Sequence, residues 1–254
     1  MKKPLLFWKS ILGIFGFLLL QSCSINTTNH YHSDKKISFA TDIDMREAME
    51  MMKSFMPDSL SQGSDFMKSD KYPRDWKNLY EIQKEEGKVS TNPDSIKILK
   101  KLFFKGNFTE DNFKGFSVKS DPLTREELAS VGTLMGKESS MMHNSAFEDW
   151  NGNILKIDMK KLQLSSDELK GIFKTGDKEK AEDEEGMEQF LSMMEMRINN
   201  KLVFDKKIKS VKGKHDWIKQ LDNKTMEVNL DLKEMTNKDH KFTNQDAFII
   251  IETE

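Results

Sequence analysis

Few side chains in this sequence stand at spacings that chemistry uses. His30-Tyr31-His32 has the i,i+2 spacing of a chelating pair, and imidazole nitrogen suits zinc or copper. No third ligand stands nearby in the sequence, so the pair reads as accidental proximity in a polar stretch. Methionine is abundant, with 17 in the chain, and Met45, Met49, Met52 and Met56 follow spacings of four, three and four, which form one stripe on a helix. Thioether sulfur is a soft ligand for Cu(I), yet no histidine accompanies this stripe. Its flexible apolar side chains suit a core, or else a malleable apolar groove.

Other constellations fail on their own chemistry. His215-Asp216 are adjacent, so on a strand they point to opposite faces and form no acid/base dyad; a surface turn is the expectation. Gly132 to Glu138 has a spacer one residue short of a phosphate loop, and Glu138 stands where the Mg²⁺-binding hydroxyl belongs. Asp149 to Asp158 is rich in oxygen ligands but lacks the EF-hand order, and a hairpin turn explains it better. No GxSxG, HExxH or GxGxxG occurs. The expectation is a non-enzymatic chain with no cofactor and no metal site.

Composition narrows the class. The 254 residues carry 40 Lys+Arg against 42 Asp+Glu, a net charge of −2, which removes the electrostatic case for nucleic-acid binding. With 37% hydrophobic and 32% charged residues, the chain is neither a polytopic membrane protein nor a low-complexity one. One cysteine excludes an internal disulfide, a four-thiolate zinc site and a CxxC redox pair. That cysteine follows a distinctive leader. Lys2 and Lys3 form a basic start, Leu5 to Leu20 are apolar apart from Lys9, Ser10 and two glycines, and Leu20-Gln21-Ser22-Cys23 closes the segment before the chain turns polar. The apolar run is too short for a membrane span and reads as a cleaved signal peptide.

The leader resembles the signal of bacterial lipoproteins, whose lipobox is an aliphatic residue, two mostly small or polar residues and an obligatory cysteine. Gln21 departs from the usual Ala, Ser, Thr or Val. The resemblance covers residues 1 to 23 and implies a diacylglyceryl thioether on Cys23, cleavage between Ser22 and Cys23, and acylation of the new amino group. Its partners would be the lipid bilayer, reached through acylated Cys23, the lipoprotein-processing and sorting machinery, and an envelope protein of unknown identity. Two or three acyl chains anchor stably where one does not. Cleavage also removes Lys2, Lys3 and Lys9, so the mature chain is three charges more negative than −2 and is not drawn to anionic lipid by charge.

Ser24, rather than Asp, after the cysteine implies the outer membrane, and no acidic export tag follows, which favours the periplasmic face. With its polar tether and its Lys-, Asn- and Met-rich domain, the chain resembles lipoproteins of Bacteroidota. Asp58-Ser59-Leu60 and Asp94-Ser95-Ile96 resemble the O-glycosylation sequon of that group, with Ser59 the candidate acceptor.

The elements that must position these residues follow from periodicity. Residues 1–22 form the signal, 23–35 the lipidated cysteine and a polar tether, and 36–254 a single domain. Ile37, Phe39, Thr41 and Ile43 alternate as a strand, and Asp44 caps the methionine helix. Trp76 to Ile82 predicts a second helix ending at Gly87, and Asp94 caps a third that runs through Leu102 and Phe103. Phe113 to Val118 predicts a strand, and Asp121-Pro122 opens a helix carrying Leu128, Val131, Leu134 and Met135. Asn151-Gly152 predicts a type I′ hairpin turn with arms 143–150 and 153–159. A helix near Ser166 to Phe173 and a longer one from Met187 to Ile198 follow. Strands are expected at Leu202 to Val211, Met226 to Leu232 and Ala247 to Ile251. The fold class read from this pattern is α+β, a mainly antiparallel sheet covered by helices on one face. The function expected is a membrane-anchored envelope lipoprotein with a periplasmic binding or structural domain; the alternative is a carrier of a lipid or other apolar ligand in a groove lined by Met45, Met49, Met52 and Met56.

Overall fold

A computed structural model describes residues 24–47, 72–87, 90–110, 112–135, 148–162, 197–237 and 239–254. Twelve strands occur among them: β1 (Ser24–Tyr31), β2 (Ile37–Asp44), β3 (Lys77–Asn78), β4 (Leu102–Thr109), β5 (Asn112–Ser120), β6 (Glu148–Trp150), β7 (Ile154–Asp158), β8 (Arg197–Phe204), β9 (Ile208–Lys212), β10 (Ile218–Gln220), β11 (Thr225–Asp231) and β12 (Phe248–Thr253). The described helices are α1 (Leu79–Glu85), α2 (Pro93–Leu99), α3 (Arg125–Met135) and α4 (Leu232–Thr236). One sheet has eight strands in the order β10-β11-β8-β1-β2-β5-β4-β3, and the other has four in the order β6-β7-β12-β9. The β1–β8 pairing is parallel; every other described pairing is antiparallel.

The expected helix-covered α+β sheet is therefore corrected to a mostly β fold of two sheets, with few, short helices among the described residues. One core cluster joins Tyr31 of β1, Leu202 and Phe204 of β8, and Met226, Val228 and Leu230 of β11 to Trp150, Leu155, Ile157, Ile249 and Ile251 of the smaller sheet. The remaining half of the large sheet packs Phe39, Leu102 and Val118 against Ile98 of α2 and Leu128 and Val131 of α3. Among the described residues, α2 and α3 thus cover one half of the large sheet, and the smaller sheet, with Met235 of α4, covers the other.

The second correction concerns residues 24 to 34. The stretch expected to be a tether holds β1, which lies inside the large sheet between β8 and β2. Its buried face is Ile25, Thr27, Asn29 and Tyr31, so half of the inward side chains are polar and the strand shows no hydropathy alternation. Pairing with both neighbours satisfies its backbone, and Thr27 Oγ1 lies 3.1 Å from Thr41 Oγ1 on β2, which accommodates the polar groups inside. The domain accordingly includes residues before position 36.

Local chemistry explains several element ends. Thr124 and Glu127 form a capping box at the start of α3: Glu127 N donates to Thr124 Oγ1 at 3.2 Å and Thr124 N to Glu127 Oε2 at 3.0 Å. Asn92, not Asp94, caps α2 by accepting from Asp94 N and Ser95 N. Leu102 and Phe103 leave that helix and begin β4. The turn at Asn151-Gly152 joins β6 and β7 as expected, but only Gly152 has a positive φ, of 104°, while Asn151 Oδ1 accepts from Asn153 N and Ile154 N. It is an Asn-braced turn rather than type I′. At Gly115 of β5, φ is 144° and a Cβ would lie 1.9 Å from Ile43 O, so glycine permits the close approach of β2 and β5.

Candidate functional site

Several residues singled out by sequence fall outside the described residues: Ser22, Cys23, Met49, Met52, Met56 and Ser59. Met45 is described and half-buried, with its amide donating to Lys114 O at 2.7 Å. Ser95 of the second sequon stands in the first turn of α2, where its amide donates to Asn92 Oδ1, so that sequence is a helix start.

The histidine pair is the reading that the fold changes most. His30 and His32 straddle Tyr31 at the end of β1, and their rings come together with centroids 4.3 Å apart. Tyr31 points the other way and is fully buried, stacked on Phe204 at 5.1 Å and edge-on to Trp150 at 5.5 Å. The alternation of a strand therefore fixes both histidines on the outer face by burying the residue between them.

The parallel register sets Tyr31 beside Phe204, and the next residue, Asp205, donates its amide to Tyr31 O at 3.2 Å. This delivers the third polar group that the sequence neighbourhood lacks. Asp205 Oδ1 lies 2.8 Å from His30 Nε2 and 3.6 Å from His32 Nδ1. One potential ligand atom from each of the three residues lies within 4.8 Å of the other two. Asp205 Oδ2 instead accepts from Ser33 N at 2.9 Å and Ser33 Oγ at 3.4 Å. The far nitrogen of His32, Nε2, lies 2.9 Å from Ser38 Oγ on β2. Burial pushes the Asp205 carboxyl up, but the Ser33 amide and the two neighbouring imidazoles outweigh it and hold it below the usual carboxylate range.

His215 differs from the surface turn expected of it. It is buried between Trp217 and Phe242, each ring centroid 4.9 Å away, and burial pushes its pKa down. Asp216 turns away to accept from Thr243 N, Asn244 N and Asn244 Nδ2, so the two form no dyad, as their adjacency implies. The 149–158 segment is the β6–β7 hairpin, and Asp149 pairs with Arg125 at 2.9 Å.

The opposite end of β1 has a different character. Ser24 is in register with Asp44 of β2 and Arg197 of β8, and Arg197 in turn faces Asp231 of β11. The Asp44 carboxylate accepts from the Arg46 amide and guanidinium, and Arg197 Nε lies 3.9 Å from Asp231 Oδ2. This end is polar with its charges paired. Among the described residues no helix is long and apolar enough to cross a membrane.

No protein-family model matches the chain, and no curated protein matches it. Among solved structures, the folded domain of LppM from Mycobacterium tuberculosis, determined by NMR, is similar over 92% of this chain and 90% of that chain, at 10% sequence identity and a TM-score of 0.38.

Proposed function

We propose that this chain is an envelope lipoprotein, anchored by a diacylglyceryl thioether on Cys23, whose β domain acts by binding rather than by catalysis. The observation that carries the reading is the position of the sole cysteine: it completes Leu20-Gln21-Ser22-Cys23 behind a basic and apolar leader, and β1 begins at the next residue. An anchor there leaves no spacer between lipid and fold. The end of the sheet formed by Ser24, Asp44, Arg197 and Asp231 would then lie against the headgroups. Its paired charges suit a polar interface without requiring anionic lipid. Ser24 after the cysteine supports residence in the outer membrane, with the domain facing the periplasm and an envelope protein as its partner.

Metabolic labelling with a palmitate analogue tests the anchor. Wild-type chain is expected to incorporate label and to fractionate with membranes, whereas Cys23→Ala retains residues 1–22 and takes up none. Equal labelling of the two would refute the reading.

A further inference from the structure

The second end of β1 carries a site that the anchor does not need. We propose that His30, His32 and Asp205 bind one divalent transition-metal ion of the zinc class at the end of the large sheet remote from Cys23.

Geometry comes first. Four-coordinate zinc holds nitrogen and oxygen ligands at about 2.0–2.2 Å, which places neighbouring ligand atoms about 3.3 Å apart. The separations of 2.8 Å and 3.6 Å from Asp205 Oδ1 to the two imidazole nitrogens bracket that value. All three ligand atoms fit within 4.8 Å, so small side-chain rotations suffice to admit an ion. The backbone is already committed, because β1 and β8 are in parallel register and Asp205 N bonds Tyr31 O.

The surroundings of His32 and Asp205 match what ligating groups require. Metal-bound histidine commonly uses its other ring nitrogen to hold a hydrogen-bond partner, which fixes tautomer and orientation. Ser38 Oγ stands 2.9 Å from His32 Nε2, where it can accept from the tautomer that leaves the lone pair on Nδ1, the nitrogen that faces Asp205 and would bind the ion. The carboxylate is divided in the same way: Ser33 N and Oγ occupy Oδ2, leaving Oδ1 toward the histidines. A plain His–Asp ion pair needs neither the second histidine nor this division.

Ligand type selects the ion. Two imidazoles with one carboxylate suit Zn²⁺, Cu²⁺, Ni²⁺ or Co²⁺, whereas Mg²⁺ and Ca²⁺ prefer oxygen. The side chains remain 40%, 22% and 37% exposed for His30, His32 and Asp205, so water completes the coordination and the ion can exchange. Such a site takes up and releases metal, in contrast to the closed four-ligand sites that hold a fold together. His30 stands six residues along β1 from Ser24, which at strand rise is about 20 Å from the anchored end. The site would face away from the membrane, but its occupancy does not depend on lipidation.

The test is isothermal titration of the untagged full chain with ZnCl₂ in detergent micelles, in a Cys23→Ala background so that no thiolate competes. One Zn²⁺ per chain is expected. His30→Ala, His32→Ala and Asp205→Asn should each weaken binding at least tenfold, and Ser38→Ala about tenfold through the orienting bond. Visible d–d bands of Co²⁺ should appear with the same stoichiometry and vanish in the His30→Ala/His32→Ala double variant. The near-ultraviolet circular dichroism of buried Trp150 confirms that each variant is folded. Absence of Zn²⁺ uptake by the folded chain, or uptake undiminished in the double variant, would overturn the proposal.

Discussion

Replacing Tyr31 with Phe isolates the contact that joins the two sheets beneath the histidine pair. The Tyr31 hydroxyl donates to Glu148 Oε2, so a central strand of the large sheet is tied to β6 of the smaller one. Burial first, and then the charge of Glu148, raise the tyrosine pKa well above its ordinary value. Phenylalanine preserves the stack on Phe204 and the edge contact with Trp150, and the area removed from water is nearly unchanged. The loss therefore comes from the hydrogen bonds of the hydroxyl, chiefly the one to the Glu148 carboxyl with a second shared with the Asn29 side chain, about 1–3 kcal/mol. Deleting the ring with Tyr31→Ala would cost more, about 3–5 kcal/mol. Urea unfolding followed by tryptophan fluorescence reads the difference, since Trp150 and Trp217 are both buried. With a slope of about 1–3 kcal/mol per molar urea, the midpoint of Tyr31→Phe should fall by about 1 M at unchanged slope. In a Glu148→Leu background the same substitution should cost far less, because its partner is gone. A loss under about 0.5 kcal/mol, or equal losses in the two backgrounds, would refute the reasoning.

Other outcomes follow from the same structure. Thr27→Val or Thr41→Val alone should cost about 1–2 kcal/mol by stranding the buried partner hydroxyl, whereas the double variant should recover most of it; an additive double variant in the same urea assay would contradict this. Burial pushes the Glu127 carboxyl up, but Lys101 Nζ at 2.7 Å and the Thr124 amide outweigh it, leaving it below the usual range. A depressed folded-state pKa contributes stability that is fully present above the unfolded value of about 4.3 and is lost as pH falls through the lower folded value. Glu127→Gln should therefore flatten the acid limb of thermal stability below about pH 4.3, and an unchanged limb would count against the ion pair.

Strands with apolar alternation were legible from sequence. Ile37, Phe39, Thr41 and Ile43 lie on β2, Phe113 to Val118 fall within β5, and Met226, Val228 and Leu230 line the buried face of β11. The hairpin at Gly152 was also legible, although its brace is the Asn151 side chain rather than a second positive φ. β1 was not, since Thr27 and Asn29 occupy inward positions and hydropathy treats them as surface. Hydropathy alone therefore reads this central strand as a tether, in which the histidine pair has no frame. Leu102 and Phe103 match a helical continuation as well as a strand start, and only pairing with β5 decides between them. Asp205 has no signature beside His30 and His32 because its proximity arises from parallel register between strands distant in sequence.

Intact-mass analysis of the chain recovered from bacterial membranes tests the anchor most directly. The expected product begins at Cys23 and carries the added mass of a diacylglyceryl group and an amide-linked acyl chain. A product that retains residues 1–22, or one that begins at Cys23 with an unmodified thiol, would contradict the account.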